Sequence, residues 1–313
     1  MRISSSSFTD NFIGQIQQLQ DQQNTLQEQS SSGLKVSLPE DNPSVMAQVL
    51  NLQTASASNT QYQKNITQLQ TAATTSGSAM TSLQTLSSQV SEIATQASNG
   101  TTSTAQLATY ATQVASLLQE ALQLGNTQDN NGNYIFSGTA STTKPFVAST
   151  DANGNVTAVT YQGNTAVAQS EISSNTTVST HVPGVNNTGT GAQGLFADSR
   201  SGADLFSHMI ALQQDLASGN TSAIATTDVP ALTKDDDHLI TQISANGVMQ
   251  SALNAAGNIA SAQSTSLATQ ISGDTNADLA QTLTELDKTQ TAYQAALESG
   301  TMVMKLSLLN YLS

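Results

Sequence analysis

The sequence predicts a mainly α-helical chain with a β insertion, in which the N- and C-terminal segments form a long helical rod or coiled coil and a small β-rich domain occupies the middle. Three observations predict it. Apolar residues recur at alternating spacings of three and four over long stretches near both ends. Asn-Gly turns and short β-branched runs are confined to the middle. No alternation of strand and helix signals is present that would build a parallel sheet.

The first segment carries Phe8, Phe12, Ile16, Leu19 and Leu26, with Gln23 at one seam position, and reads as a helix that stops near Ser30 to Gly33. Leu34 to Leu38 reads as extended, and Pro39 marks a break. The next helix opens with Asn42 as N-cap and Pro43 at the first helical position, where a missing N–H costs nothing. Along it Tyr62, Ile66, Leu69, Ala73, Ser76, Met80, Leu83, Ser87, Val90, Ala94 and Ala97 follow a strict 4,3 spacing, and Asn99-Gly100 ends it. A third helix repeats the rule with Leu107, Tyr110, Val114, Leu117, Ala121 and Leu124 and ends by Gly125. Ala and Ser at seam positions bury little area, so these helices require neighbouring elements or subunits.

From Asp129 the signals change to Asn131-Gly132 and Asn153-Gly154 turns, with β-branched runs at Val156 to Tyr161 and Val178 to Val182. Residues 139–198 read as a small β domain. Asn186 to Gly194 reads as a loop, and Leu205, Met209, Leu212 and Leu216 restore helical spacing. A long periodic stretch follows from Leu239 to Ile271, interrupted by Gly273-Asp274. The last helix places Leu279, Leu283, Leu286, Gln290, Tyr293, Leu297, Gly300 and Met304 on one stripe. The stripes at the two ends match, so the sequence predicts that Phe8, Phe12, Ile16 and Leu19 pair with Leu283, Leu286, Tyr293, Leu297 and Met304.

Composition excludes several functions. With 8 Lys+Arg against 22 Asp+Glu the formal charge is -14, and no basic cluster exists to contact phosphates or an anionic membrane. No Cys is present, so there is no disulfide, thiolate metal site or cysteine nucleophile. No apolar run approaches the roughly 18 residues of a membrane span, and Ser4 to Ser7 stand where a signal peptide would put its apolar region.

The candidate chemistry is weak at every position. Gly189, Gly191 and Gly194 form a G-x-G-x-x-G string, but Val185 to Thr188 does not read as a buried strand before it, so a flexible loop is expected. Asp235, Asp236, Asp237 and His238 come as a block, unlike the alternating ligands of a calcium loop, and read as a solvated helix start. Asp151, Asn153 and Asn155 read as a hairpin turn. His181, His208 and His238 lie in different segments with no hydrolase or metalloprotease motif. No catalytic residue, metal site or cofactor is expected, and the chain is not expected to be an enzyme.

Three passages resemble a known family, the flagellin-like axial proteins of the bacterial flagellum. Met1-Arg2-Ile3-Ser4, with Ser31 to Val36 and Pro39 to Pro43, is similar to the N-terminal region of its members. Ala97 to Thr101, together with Asn133, Tyr134, Ile135, Phe136, Ser137 and Gly138 and then Pro145-Phe146, resembles the hook–filament junction members rather than the flagellins. Ala292 to Gly300 and Leu306 to Leu312 resemble the family's C-terminal core.

The resemblance implies nested domains: residues 1–42 and 274–313 in an inner coiled-coil layer, 43–138 and 199–273 in a helical rod, and 139–198 outermost. It also implies a structural adaptor at the hook–filament junction, a ring of subunits on which flagellin polymerises. The implied partners are copies of the chain itself, a first junction protein on the hook side, flagellin on the filament side and an export chaperone on the C-terminal helix. Nucleic acid and membrane are not among them. The location would be extracellular, reached by type III export without a cleaved signal peptide. The alternatives are a filament flagellin and, more remotely, an extracellular adhesin using residues 139–198.

Overall fold

The computed structural model describes the backbone of residues 4–312 and the side chains of residues 10–302. Phe8 and Met304 of the expected terminal pairing therefore lie outside the described side chains. Helices run over α1 (Ser4–Ser32), α2 (Pro43–Ala97), α3 (Thr104–Gly125), α4 (Leu205–Ser218), α5 (Thr221–Ala223), α6 (Val229–Thr275) and α7 (Leu279–Leu312). The mainly α chain with a β insertion is thus the observed class. It divides into two compact units, one of residues 1–58 with 263–313 and one of residues 59–262.

In the first unit α1 packs along α7. The α1 helix stops where expected, because Gly33 at φ 73° takes the left-handed conformation and donates its N–H to the Gln29 carbonyl at 2.8 Å. The extended segment after it is held by backbone bonds to the α6–α7 connection. Lys35 N–H reaches the Thr275 carbonyl at 2.7 Å, and Ala277 N–H reaches the Gly33 carbonyl at 2.8 Å. Lys35 Nζ adds a bond to the Gly273 carbonyl at 2.9 Å, and Val36 is buried. Asn42 caps α2 as the sequence predicts, its Oδ1 accepting from Val45 N–H at 3.2 Å.

In the second unit the 4,3 stripe of α2 is the buried face: Ile66, Leu69, Ala73, Ser76, Met80, Leu83, Ser87, Val90, Ala94 and Ala97 are all buried. Tyr62 is partly buried. On α3 the stripe is rotated from expectation. Leu107, Ala111, Val114, Leu118, Ala121 and Gly125 are buried, while Tyr110, Leu117 and Leu124 flank them. The larger side chains sit on the shoulder because Ala111 and Gly125 permit close approach; a Cβ on Gly125 would press on the Phe146 ring.

The insertion forms three small sheets. β1 (Phe146–Thr150) and β2 (Val156–Tyr161) make an antiparallel hairpin in which Phe146 faces Tyr161. β3 (Ser170–Ser173) pairs with β4 (Thr176–Val178), and Ile172 and Val178 pack on Leu69, Ala73 and Leu253. β5 (Val185–Asn186) lies parallel to β6 (Ala197–Asp198), which pairs antiparallel with β7 (Ala203–Asp204). A short strand therefore does precede the glycine string, contrary to the reading of Val185 to Thr188 as no buried strand. Buried Asn186 closes the loop after it by donating from Nδ2 to the Thr190 and Ala192 carbonyls at 2.6 Å each.

Two sequence repeats, Asp129-Asn130-Asn131-Gly132-Asn133 and Asp151-Ala152-Asn153-Gly154-Asn155, build the same turn twice. Asp129 Oδ1 accepts from the N–H groups of Asn131 and Asn133 at 2.8 and 2.9 Å. Asp151 Oδ1 accepts from Asn153 and Asn155, both at 2.8 Å. Gly132 and Gly154 supply φ values of 80° and 86°. These turns use their carboxylates internally, and the hairpin expected at 151–155 is present.

The β1–β2 hairpin and the segments around Phe136, Val185 and Phe196 share one apolar core with α2, α3 and α4. Phe146 stands 4.7 Å from Phe196, 5.0 Å from Phe206 and 5.2 Å from Tyr161, ring centre to ring centre. Phe196 and Phe206 stack at 5.0 Å.

Candidate functional site: the terminal seam and the buried polar network

On α1, from residue 10 to Leu26, the buried or partly buried side chains are Phe12, Ile16, Leu19, Gln23 and Leu26, at successive spacings of 4, 3, 4 and 3. This is the stripe that the sequence picks out. On α7 the period is as expected but the phase is not. Thr282, Leu286, Thr289, Tyr293, Ala296 and Gly300 are the buried or partly buried line. Phe12 closes against Gly300 so tightly that any Cβ there would overlap its ring. Leu286 and Tyr293 of the predicted set thus lie on this line, whereas Leu283 and Leu297 stand beside it, 50% and 42% exposed. Small and polar residues let α1 lie close, and the leucines are left on the flank together with Leu279.

The Asn133 to Gly138 segment is a structural staple. Ile135, Phe136, Ser137 and Gly138 are buried, and Phe136 meets Phe196 edge to face at 5.7 Å. Its backbone is bonded from several sides. Ile135 N–H reaches the Thr127 carbonyl at 3.1 Å, and the Phe136 carbonyl accepts from Gly184 N–H at 2.8 Å and from the Tyr161 hydroxyl at 2.9 Å. Asn164 N–H reaches the Ser137 carbonyl at 3.1 Å. Gly138 has φ 68°, and a Cβ would strike the Asn164 and Ala166 carbonyls. Gly138→Ala is expected to lose at least about 2 kcal/mol, from left-handed strain plus the overlap, measured by urea unfolding.

The Asp235 to His238 block is not a solvated helix start. α6 begins earlier, at Val229, after a π-helical turn over Ile224–Asp228, and Asp235 is 1% exposed. Asp235 accepts from Asp204 N–H at 2.9 Å and pairs with His208 Nδ1 at 2.8 Å. His238 Nε2 lies 2.6 Å from the Gly194 carbonyl. His208, partly buried, and Asp235, buried, thus meet as a pair from separate segments of sequence.

Their chemistry is proton retention. Donating Nδ1–H to the Asp235 carboxylate holds the His208 imidazolium above its ordinary range, and burial pushes Asp235 up as well. Asp228, 2% exposed, is pushed up to about 6 by burial and then by the neighbouring Asp215 charge. A raised folded value means that the stabilising contribution is complete below the unfolded value and is lost as pH rises through the folded one. The chain is therefore expected to melt several degrees higher near about pH 5 than near about pH 8, and Asp228→Asn should remove the part of that step centred near 6. Calorimetric melting across this range checks it. In the opposite sense, Arg200 pairs with buried Asp198 at 2.7 Å and holds its carboxyl down to about 2, so this contribution fades only in strong acid, from about 4 downward.

Among the described residues no group of three or more His, Asp or Glu side chains is placed to hold a metal ion, and no helix is long and apolar enough to cross a membrane. The glycine string has Gly189 and Gly191 at φ 74° and 76° in a turn, not at a helix N-terminus.

What the arrangement offers is a paired-helix end with a flank of leucines, joined in sequence to a stapled helical and β unit. Residues 3–141 match the family described as the bacterial flagellin N-terminal helical region. The fold, more narrowly, is that of flagellar hook-associated structures. A Vibrio parahaemolyticus chain described as a flagellar hook-associated protein superposes with a TM-score of 0.63 at 20% identity, over 76% of this chain and 100% of that one. Xanthomonas campestris FlgL gives 0.58 at 17% identity, over 71% and 99%. Flagellar hook-associated protein 3 of Legionella pneumophila gives 0.53 at 16%, over 77% and 99%. No curated protein matches the chain.

Proposed function

We propose that the chain is a structural adaptor of the bacterial flagellum at the hook–filament junction, forming a ring on which flagellin polymerises. The observation that carries this reading is the hook-associated fold over three quarters of the chain, joined to a flagellin-type N-terminal region. The Asn133 to Gly138 staple, similar in sequence to junction members, supports it. No covalent chemistry is part of the role.

In this reading residues 1–42 and 274–313 form the inner layer, 43–138 and 199–273 the helical layer, and 139–198 the outermost part. Phe12, Ile16 and Leu19 hold the terminal pair together. Leu283 and Leu297 face neighbouring subunits. Their half exposure in the single chain is the cost that association removes. The partners are copies of the chain, the first junction protein towards the hook and flagellin towards the filament, after export with a chaperone on the C-terminal helix. An extracellular adhesin resting on 139–198 alone is less well supported, because those residues share their core with α2, α3 and α4.

Deletion of the gene tests the reading. The expected result is cells with completed hooks, no filaments and flagellin released into the medium, reversed by the intact chain. Normal filaments would overturn it, and filament loss with no released flagellin would make the chain the filament flagellin itself.

A further inference from the structure

The chain contains four Asn-Gly pairs, Asn99-Gly100, Asn131-Gly132, Asn153-Gly154 and Asn246-Gly247. Such a pair is reactive, because glycine has no Cβ to keep its backbone nitrogen away from the amide carbon of the preceding side chain. The nitrogen attacks once it has given up its proton and the backbone has turned to bring it over that carbon. The fold therefore decides which of the four reacts.

Three are restrained. Asn246-Gly247 lies inside α6, where helical geometry fixes each N–H to the carbonyl four residues back. Asn246 is also buried, and its Oδ1 accepts from Gln250 Nε2 at 2.6 Å. Asn131-Gly132 and Asn153-Gly154 are exposed, but their glycine N–H groups are engaged: Gly132 donates to the Asp129 carbonyl at 3.0 Å and Gly154 to the Asp151 carbonyl at 3.1 Å. The Asp129 and Asp151 carboxylates, bonded within the same turns, also oppose the loss of a proton from a nearby amide.

Asn99-Gly100 carries none of these restraints. It follows the end of α2, in the connection to α3, and both residues are exposed. Among the described residues nothing accepts the Gly100 N–H. Gly100 has open space around its Cα, and the Asn99 amide is held by one long bond, 3.4 Å from Nδ2 to the Gln96 carbonyl.

We infer that Asn99 is a self-modification site, the asparagine that this chain converts first as it ages. The Gly100 nitrogen bonds to the Asn99 side-chain carbonyl carbon, the bond from that carbon to Nδ2 breaks, and the proton of the Gly100 nitrogen leaves with the departing ammonia. The product is a five-membered imide. Water then adds to one of its two carbonyl carbons and breaks that carbon's bond to the ring nitrogen, which leaves either aspartate or its isomer with the main chain routed through the side chain. Each product places a carboxylate beside the last carbonyls of α2, where Nδ2 had donated, and negative charge is unfavourable at that end of a helix. Conversion thus loosens the last turn of α2. The inference is independent of the flagellar reading.

The full chain is incubated in warm, mildly alkaline buffer beside a sample unfolded in guanidinium, and peptide mapping by mass spectrometry follows each of the four asparagines, with enzymatic methylation marking the isomer. The folded chain should convert Asn99 well ahead of Asn131, Asn153 and Asn246, whereas the unfolded chain should convert all four at comparable rates. Gly100→Ala, which the open space accommodates, should slow Asn99 about tenfold, because the added Cβ crowds the attacking nitrogen. Asn99→Asp, which makes one product outright, should speed amide exchange over the last turn of α2. Conversion of any of the other three ahead of Asn99, an intact Asn99 over the time in which the unfolded chain converts, or indifference to Gly100→Ala would overturn the assignment. Unchanged exchange in Asn99→Asp would overturn the effect on α2.

Discussion

Phe146→Ala is expected to lose about 4 kcal/mol and to lower the melting temperature of the unit by about 8 to 16 °C. The ring is 1% exposed and touches Phe196, Phe206 and Tyr161, so its removal opens a cavity bounded by rigid aromatic faces that cannot collapse into it. It also presses on Gly125, where α3 ends, and on Gly184 beside β5. The same substitution therefore loosens helix and strand together. Val147→Ala, one residue on and 38% exposed, should cost well under 1 kcal/mol and serves as control. If the insertion were an independent domain, its hairpin would melt separately from the helices. The shared core predicts one cooperative transition for residues 59–262, measured by urea unfolding followed through both helicity and tyrosine fluorescence.

Gly300→Val is expected to free α1 from α7 and with it to abolish assembly of the chain, whatever its effect on residues 59–262. A Cβ on Gly300 overlaps the Phe12 ring, and β-branching in a helix leaves no rotamer to escape into. The rest of the seam, Ile16, Leu19, Leu286 and Tyr293, is only partly buried and offers little to hold the helices at a greater distance. Released, a Gln- and Ser-rich helix such as α1 is marginal in water. Hydrogen exchange should show loss of protection across residues 10–32. Gly247→Ala, at a helical glycine with open space around its Cα, should leave exchange and assembly intact.

The sequence made the period of the long helices legible, and on α1 and α2 the phase as well. Every residue of the α2 stripe from Ile66 to Ala97 is buried, with Ala79 and Leu86 buried beside it. On α3 and α7 the phase was lost, because larger apolar residues stand beside a seam of small or polar ones. From Asp228, at the end of the π-helical turn, into α6 the buried line runs Asp228, Leu232, Asp235, Leu239, Gln242 and Asn246, a 4,3 spacing that begins before Leu239. Reading Asp235 and Asn246 as spacers of that line would have placed the acidic block inside the helix and brought His208 to mind as its partner. On α7 the leucines drew the stripe one position away from Thr282, Thr289 and Ala296. The twin Asp-x-Asn-Gly-Asn turns were readable because their geometry is local, whereas the pairing of β5 with β6 rests on Asn186 and a loop closing on itself.

The most direct test of the account is immunogold labelling of intact flagella from the cells that make this chain, using antibody raised against residues 139–198. The account predicts gold confined to the boundary between hook and filament. Gold along the length of the filament, or none on the flagellum, would contradict it.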